Sequence, residues 1–212
     1  MMEDDRMEIF LGSMDPGNSE FLEMLGEEAL RASVPIIRRQ TQSALRVLLA
    51  ALRPEKILEI GCAVGFSAIL MCENCNAHIT TIENYEKRIA PARENFRRAG
   101  VEDRVELLFG DAAEILPKLT ETYDFIFMDA AKGQYIHFLP EVIRLLRPGG
   151  MLVSDNVLQN GDLLESHFAV ERRNRTIYKR MREYLYELTH REDLVTTILP
   201  IGDGLSLTVK KR

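Results

Sequence analysis

Apolar positions change rhythm twice along this chain. After Ser19, a side chain suited to cap a helix, Phe21, Leu22, Leu25, Ala29 and Leu30 recur at helical spacing. Val34-Pro35 interrupts the pattern. Ala44, Leu45, Leu48 and Leu49 resume it on one face of a second helix over about 41–52, which Pro54 stops. From Lys56 the period shortens. Five apolar runs, over 56–61, 79–83, 104–111, 123–129 and 150–155, alternate with helical stretches at about 65–75, 85–99, 112–119 and 135–147. Strand alternating with helix predicts βαβ units and a parallel sheet covered on both faces. Helical rhythm returns over 171–190, with Ile177, Met181, Leu185 and Leu188 expected inward, and two closing strands flank the hairpin-like turn Gly202-Asp203-Gly204. Residues 1–18 read as a loosely held start with a turn at Asp15-Pro16-Gly17-Asn18. The expected fold class is α/β: a doubly wound, mostly parallel seven-stranded sheet with a C-terminal antiparallel hairpin and N-terminal helices. No linker divides the chain, so 1–212 is expected to be one domain, with a helical cap (1–54), a core (55–156) and a closing part (157–212).

Composition narrows the classes. The chain has 212 residues and a formal charge of −6, which argues against binding nucleic acid over its whole surface but leaves room for a local basic patch. Cys72-x-x-Cys75 lacks a second pair or a histidine cluster, so Cys62, Cys72 and Cys75 are expected as free thiols in a reducing cytoplasm. Acids at Glu3, Asp4 and Asp5 are the wrong sign for a secretory leader, and no apolar run nears the roughly 18 residues of a membrane helix, so no membrane partner is expected.

Candidate chemistry sits where strands end. Glu59-x-Gly61-x-x-x-Gly65-Phe66-Ser67 lies between the first strand and a helix. Glycines let a ligand approach the backbone closely. The spacing is not the G-x-G-x-x-G of a pyrophosphate cradle, which disfavours a dinucleotide oxidoreductase, and Glu59 suits a ligand carrying an amine better than a phosphate. Glu83, Asp111, Asp129 and Asp155 end the next four strands, at the side of an open parallel sheet where ligands bind. Any one of these acids is as readily a helix cap, as for Asp111 and Asp155. A succession of them is harder to assign to capping.

Glu59-x-Gly61-x-x-x-Gly65, Glu83, Gly110-Asp111-Ala112, the Asp129 strand and Arg147-Pro148-Gly149-Gly150 together resemble the successive motifs of class I methyltransferases, which have a Rossmann-like fold and use S-adenosylmethionine. The resemblance implies a donor site in which Gly61 and Ser67 hold the methionine carboxylate, Glu83 holds the ribose and Asp111 with Ala112 flanks the adenine, with Glu59, Gly65 and Asp129 also among the cofactor-binding residues. Met128-Asp129-Ala130-Ala131-Lys132-Gly133-Gln134-Tyr135 and Val153-Ser154-Asp155-Asn156-Val157 further resemble the catechol and caffeoyl-coenzyme A O-methyltransferases. By that resemblance Asp129, Asp155 and Asn156 bind a divalent metal, and their oxygen-only donor set suits Mg2+ or Mn2+. Adjacent residues of a strand point oppositely, so Asp155 and Asn156 can converge only where the strand is ending. Lys132 aligns with the family's candidate general base, catalytic together with Asp129.

The acceptor is read from charge. Residues 171–182 hold six basic side chains against one acid, and Arg31, Arg38 and Arg39 form a second group. Such a block is commonly a solvated face, but beside an active site it would recognise phosphates. This block, the Asp155–Gly161 segment, Pro200–Leu205 and the terminal Lys210-Lys211-Arg212 are similar to a bacterial subgroup that methylates 5-hydroxyuridine at the tRNA wobble position. That resemblance implies a tRNA anticodon stem-loop as partner, no DNA, and Arg38, Arg39, Arg172, Arg173, Arg175 and Lys179 as backbone contacts. Relatives are usually dimers, so a homodimer is expected. A small catechol or phenol is the alternative acceptor, and a non-catalytic nucleotide-binding module the remote one. Tyr135 is open between the acceptor and the core.

Overall fold

The structure, a computed structural model, describes residues 2–164 and 170–212. Three helices lead the chain: α1 (Met2–Met14), α2 (Glu20–Arg31) and α3 (Arg39–Leu52). Ser19 caps α2, accepting from the Leu22 amide at 3.2 Å. Asp15 closes the turn before it, accepting from Gly17 N at 2.8 Å. The start of the chain departs from expectation in being helical. Its apolar residues Met7, Ile9, Phe10, Leu11 and Met14 are all exposed and follow no single stripe, so no helical period was visible there.

The sheet then alternates as expected: β1 (Lys56–Ile60), α4 (Phe66–Asn74), β2 (His78–Glu83), α5 (Glu86–Arg98), β3 (Val105–Phe109), α6 (Ala112–Ile115), β4 (Tyr123–Met128), α7 (Tyr135–Leu145), β5 (Leu146–Ser154), α8 (Arg175–His190), β6 (Leu194–Leu199) and β7 (Leu205–Lys210). The order is β3-β2-β1-β4-β5-β7-β6. The first five strands are parallel, and β7 is antiparallel to both β5 and β6. Strand order reverses between β1 and β4, which opens a crevice at their carboxyl ends.

Both faces of the central strands are buried, hence their near-continuous apolar runs. Leu58, Ile60, Ile126, Met128 and Leu152 pack toward α7 and α8. Ile57, Phe125, Phe127 and Val153 pack toward α3 and α4. Several boundaries moved. β5 begins at Leu146, four residues before the expected Gly150, because the Arg147–Gly150 stretch remains extended with a register shift against β4 near Tyr123 and Phe125. The helix expected from 171 opens as a 3-10 turn, Arg172–Asn174, before α8. Its buried face carries Tyr178, Met181, Tyr184 and Leu188, whereas Ile177 is exposed and Leu185 is half-buried. The two tyrosines rotate the inward stripe by about one residue. Beyond Asn156 the described chain makes a 3-10 segment, Gln159–Leu164, and residues 165–169 lie outside the described set.

The Tyr184 hydroxyl meets Ser154 Oγ at 2.6 Å in the buried layer, tying α8 to the end of β5. Replacing Tyr184 by Phe leaves the Ser154 hydroxyl without that partner, and a buried orphan costs about 1–3 kcal/mol. Tyr184→Phe is therefore expected to lower unfolding stability by that amount in urea titration. No change in midpoint would mean that Ser154 finds another partner.

Candidate active site

A cleft of about 660 Å3 opens at the carboxyl ends of β1 and β4. Gly61 has φ +104°, and a Cβ there would lie 2.1 Å from the Asp129 carbonyl oxygen. Only glycine allows the β1 loop to cross the β4 loop this closely. Of the expected donor residues, Gly61, Ser67, Glu83, Asp111, Ala112 and Asp129 line the cleft. Gly65 faces elsewhere: a Cβ would meet the Phe96 ring at 2.5 Å, so this glycine lets α5 pack against the loop.

Glu59 lies beneath the loop, fully buried. Thr81 donates to its Oε2, while Oε1 closes no hydrogen bond of ordinary geometry. Burial pushes its pKa up to about 7, and the Ser67 and Thr81 hydroxyls pull the other way. Glu83 is held at the crest of β2, where Oε2 accepts from Ala63 N at 2.7 Å and Oε1 from Tyr85 N at 2.8 Å. Asp111 takes the capping role weighed for it: it accepts from Ala113 N at 2.9 Å at the start of α6 and also lines the cleft. Cys62 is buried behind the same loop, and burial raises its thiol pKa. Cys62, Cys72 and Cys75 are free thiols.

The second half of the cleft carries Asp129, Asp155, Asn156 and Lys132. β5 ends at Ser154, and Asn156 adopts φ +60°. That left-handed residue turns the chain so that neighbouring side chains converge, as the need for a strand end required. Asn156 Nδ2 donates to Asp129 Oδ1 at 2.9 Å, and Asn156 N to Asp155 Oδ1 at 2.8 Å. Burial raises the pKa of Asp129. Burial and the Asp129 charge push Asp155 up to about 7. Two carboxylates held against their charged form, joined by an amide, make a hard-oxygen donor set that a divalent cation fits. Among the described residues no group of three or more His, Cys, Asp or Glu side chains converges, so any such site depends on the amide.

Three contributors to the cleft were not foreseen. Thr41, at the start of α3, donates to Asp155 Oδ1 at 3.3 Å. Asp203, on the β6–β7 turn, accepts from Lys132 Nζ at 3.1 Å. Arg88 reaches within 4.0 Å of Glu83 Oε2 and lines the cleft. Only Asp203 had a sequence signal, as an acid held between two glycines. Tyr135 is resolved in favour of the core: it is fully buried, and its hydroxyl donates to the Met128 and Asp155 carbonyls at 3.2 and 3.1 Å. It straps β4 to β5 beneath the cleft.

Of the six expected RNA-contacting residues, Arg38 lines the cleft. The others disperse. Arg39 pairs with Glu23, Arg173 with Glu171, and Lys179 with Glu183. Arg175 Nε donates to the Val170 carbonyl at 3.1 Å, and Arg172 is exposed. Within the same block, Arg180 donates to Gly133 O and Arg182 to Leu163 O, both at 3.2 Å. No helix among the described residues is long and apolar enough to cross a membrane.

A doubly wound sheet with a glycine-lined crevice at β1, a buried acid beneath it and an acid closing β2 defines a class I methyltransferase. Residues 12–211 match the O-methyltransferase family model, and the chain belongs to that family of S-adenosylmethionine-dependent enzymes. It is 34% identical over 163 residues, 74% of each chain, to a catechol O-methyltransferase of Mycobacterium tuberculosis. A catechol O-methyltransferase of Niastella koreensis is 36% identical over 129 residues, and that match spans 58% of each protein. The S-adenosylhomocysteine-bound structure of a Podospora anserina methyltransferase superposes with a TM-score of 0.89 at 27% identity, covering 100% of this chain and 96% of the other.

Glu59 yields a stability prediction. Its carboxyl ionises near the ordinary 4.5 when unfolded but near 7 when folded. A raised folded pKa adds stability that is complete below about pH 4.5 and lost as pH rises through 7, a swing of about 3 kcal/mol. Glu59→Gln keeps the shape and removes the titration. Urea unfolding is expected to show the variant gaining on the wild type between pH 5 and pH 8. A constant gap would mean that Glu59 is already ionised at pH 5.

Proposed function

We propose that this chain transfers the methyl of S-adenosylmethionine to a hydroxyl of a small catechol or related phenol, with a divalent cation, Mg2+ or Mn2+, held by Asp129, Asp155 and Asn156. The observation that carries this reading is the convergence of those three side chains with Lys132 on the crevice that the Gly61 loop lines. The relatives named catechol O-methyltransferase support the acceptor class.

Bound there, the donor supplies an electrophilic methyl, and a divalent cation supplies Lewis acidity that makes the acceptor hydroxyl easier to ionise. The chain does the remainder. The orphan Oε1 of Glu59 is a ready acceptor for the donor's amine, and Glu83 keeps lone pairs for hydroxyl donors beyond its two backbone contacts. Asp111 and Ala112 bound the far end of the donor half. Lys132 Nζ takes the acceptor's proton. Holding donor and acceptor in one cleft removes most of the entropy of their encounter.

A wobble-uridine acceptor has one observation in its favour, Arg38 at the cleft wall. The Arg-rich block no longer adds to it, because most of its cations meet a carboxylate or a carbonyl of their own chain. A homodimer belongs to the same proposal: α1 presents Phe10, Leu11 and Met14 to solvent, a surface that a second copy would cover.

The test is label transfer from S-adenosylmethionine, with Mg2+, to catechol, to tRNA bearing 5-hydroxyuridine and to matched tRNA without it. Label in catechol is expected. Label only in the hydroxylated tRNA would overturn the small acceptor in favour of the wobble base. Asp155→Ala is expected to abolish transfer while leaving S-adenosylhomocysteine affinity, read by calorimetry, within about twofold, a change of under 0.5 kcal/mol. Equal losses in both would remove Asp155 from the cation site.

A further inference from the structure

The turn between β6 and β7 is built to a tolerance that closing a sheet edge does not need. Gly202 (φ +58°) would place a Cβ 3.1 Å from Thr41 Oγ1. Gly204 (φ +88°) would place one 2.3 Å from Leu158 Cγ and 2.7 Å from the Leu158 backbone nitrogen. The turn is wedged between the start of α3 and the loop after β5. Two backbone hydrogen bonds fix it to that loop: Leu158 N to Asp203 O at 2.9 Å and Val157 N to Gly204 O at 3.0 Å. Between the glycines, Asp203 is 7% exposed and accepts from Lys132 Nζ at 3.1 Å. The 3-10 turn that carries Lys132 is held from its other side, where Arg180 donates to Gly133 O.

We propose that Asp203 is a positioning residue for the transfer reaction: the β6–β7 turn uses its carboxylate to hold the Lys132 amine at the acceptor side of the cleft. The proposal rests on the reading of Lys132 as the group that takes the acceptor's proton. An amine on a four-carbon stem has many rotamers, and one buried carboxylate on a rigid turn removes most of them. A misplacement of about 1 Å at a reacting group can lower a rate about 100-fold. The hairpin that completes the sheet would then also set the aim of a residue more than sixty positions upstream, on the opposite side of β5.

The experiment compares Asp203→Asn, Asp203→Glu and Lys132→Met in the 212-residue chain, reading kcat and KM for catechol and S-adenosylhomocysteine affinity by calorimetry. Asp203→Asn is expected to lower kcat about 10- to 100-fold, with KM and donor affinity within about twofold. Asp203→Glu is expected to recover part of the lost kcat, since it keeps the carboxylate. Parallel losses of kcat, KM and donor affinity in both Asp203 variants would mean that the ion pair merely braces the fold, and would overturn the proposal. So would an unchanged kcat in Asp203→Asn while Lys132→Met is inactive. Full activity in Lys132→Met is a different failure: it removes the lysine from proton transfer, and the positioning role with it. If Asp203→Asn does not fold, Asp203→Ser carries the same comparison.

Discussion

The structure turns on one close passage. Gly61 runs so near the Asp129 carbonyl that a single added carbon would collide at 2.1 Å. Through that contact the loop after β1, which lines one half of the cleft, and the loop after β4, which begins the other half, are in effect one rigid body. Backbone bonds extend the unit: Asp129 N donates to Ile60 O, Asp155 N to Met128 O, and Gly61 N to Ile82 O, each at 3.0 Å. The carboxyl ends of β1, β2, β4 and β5 are thus pinned to one another. Methyl transfer needs two reactants in line, and a site assembled from pinned strand ends holds that geometry better than one built on free loops.

That rigidity lets the protein keep charge where charge is unwelcome. Glu59 and Asp155 are each buried, and each is pushed to about 7. Neutral donors face them: Thr81 and Ser67 at Glu59, Thr41 and the Asn156 backbone at Asp155. Desolvated acids with too few cationic partners are a stored cost, which a cationic group bound beside either would relieve.

Most of this architecture was legible in the sequence because it is written in short-range codes. Short apolar runs, a capping serine at 19 and prolines at 35 and 54 determine local conformation directly, and five strand-ending acids need only the knowledge that parallel strands share one carboxyl end. Even the convergence of Asp155 and Asn156 followed from pleat geometry, and the structure meets it with a left-handed residue at 156. What escaped notice was long-range. Thr41 is 114 residues from Asp155, and Asp203 is 71 from Lys132. No local pattern marks such pairs. The first helix escaped for the opposite reason: its apolar residues face solvent and leave no stripe to read.

The basic block around α8 looks different in space than along the chain. Six cations against one acid in residues 171–182 suggests a strong positive field. Field, however, is set by neighbours in space. Folded, Arg173 meets Glu171, Lys179 meets Glu183 from the next turn, and Arg180 and Arg182 spend donors on the carbonyls of Gly133 and Leu163. The last two contacts are structural, pinning the helix to the turn after Lys132 and to the segment after Asn156. A cation aimed at its own chain's carbonyl offers fewer donors to a phosphate. The helix thereby braces the turn that carries Lys132 and the segment after Asn156, both beside the cleft.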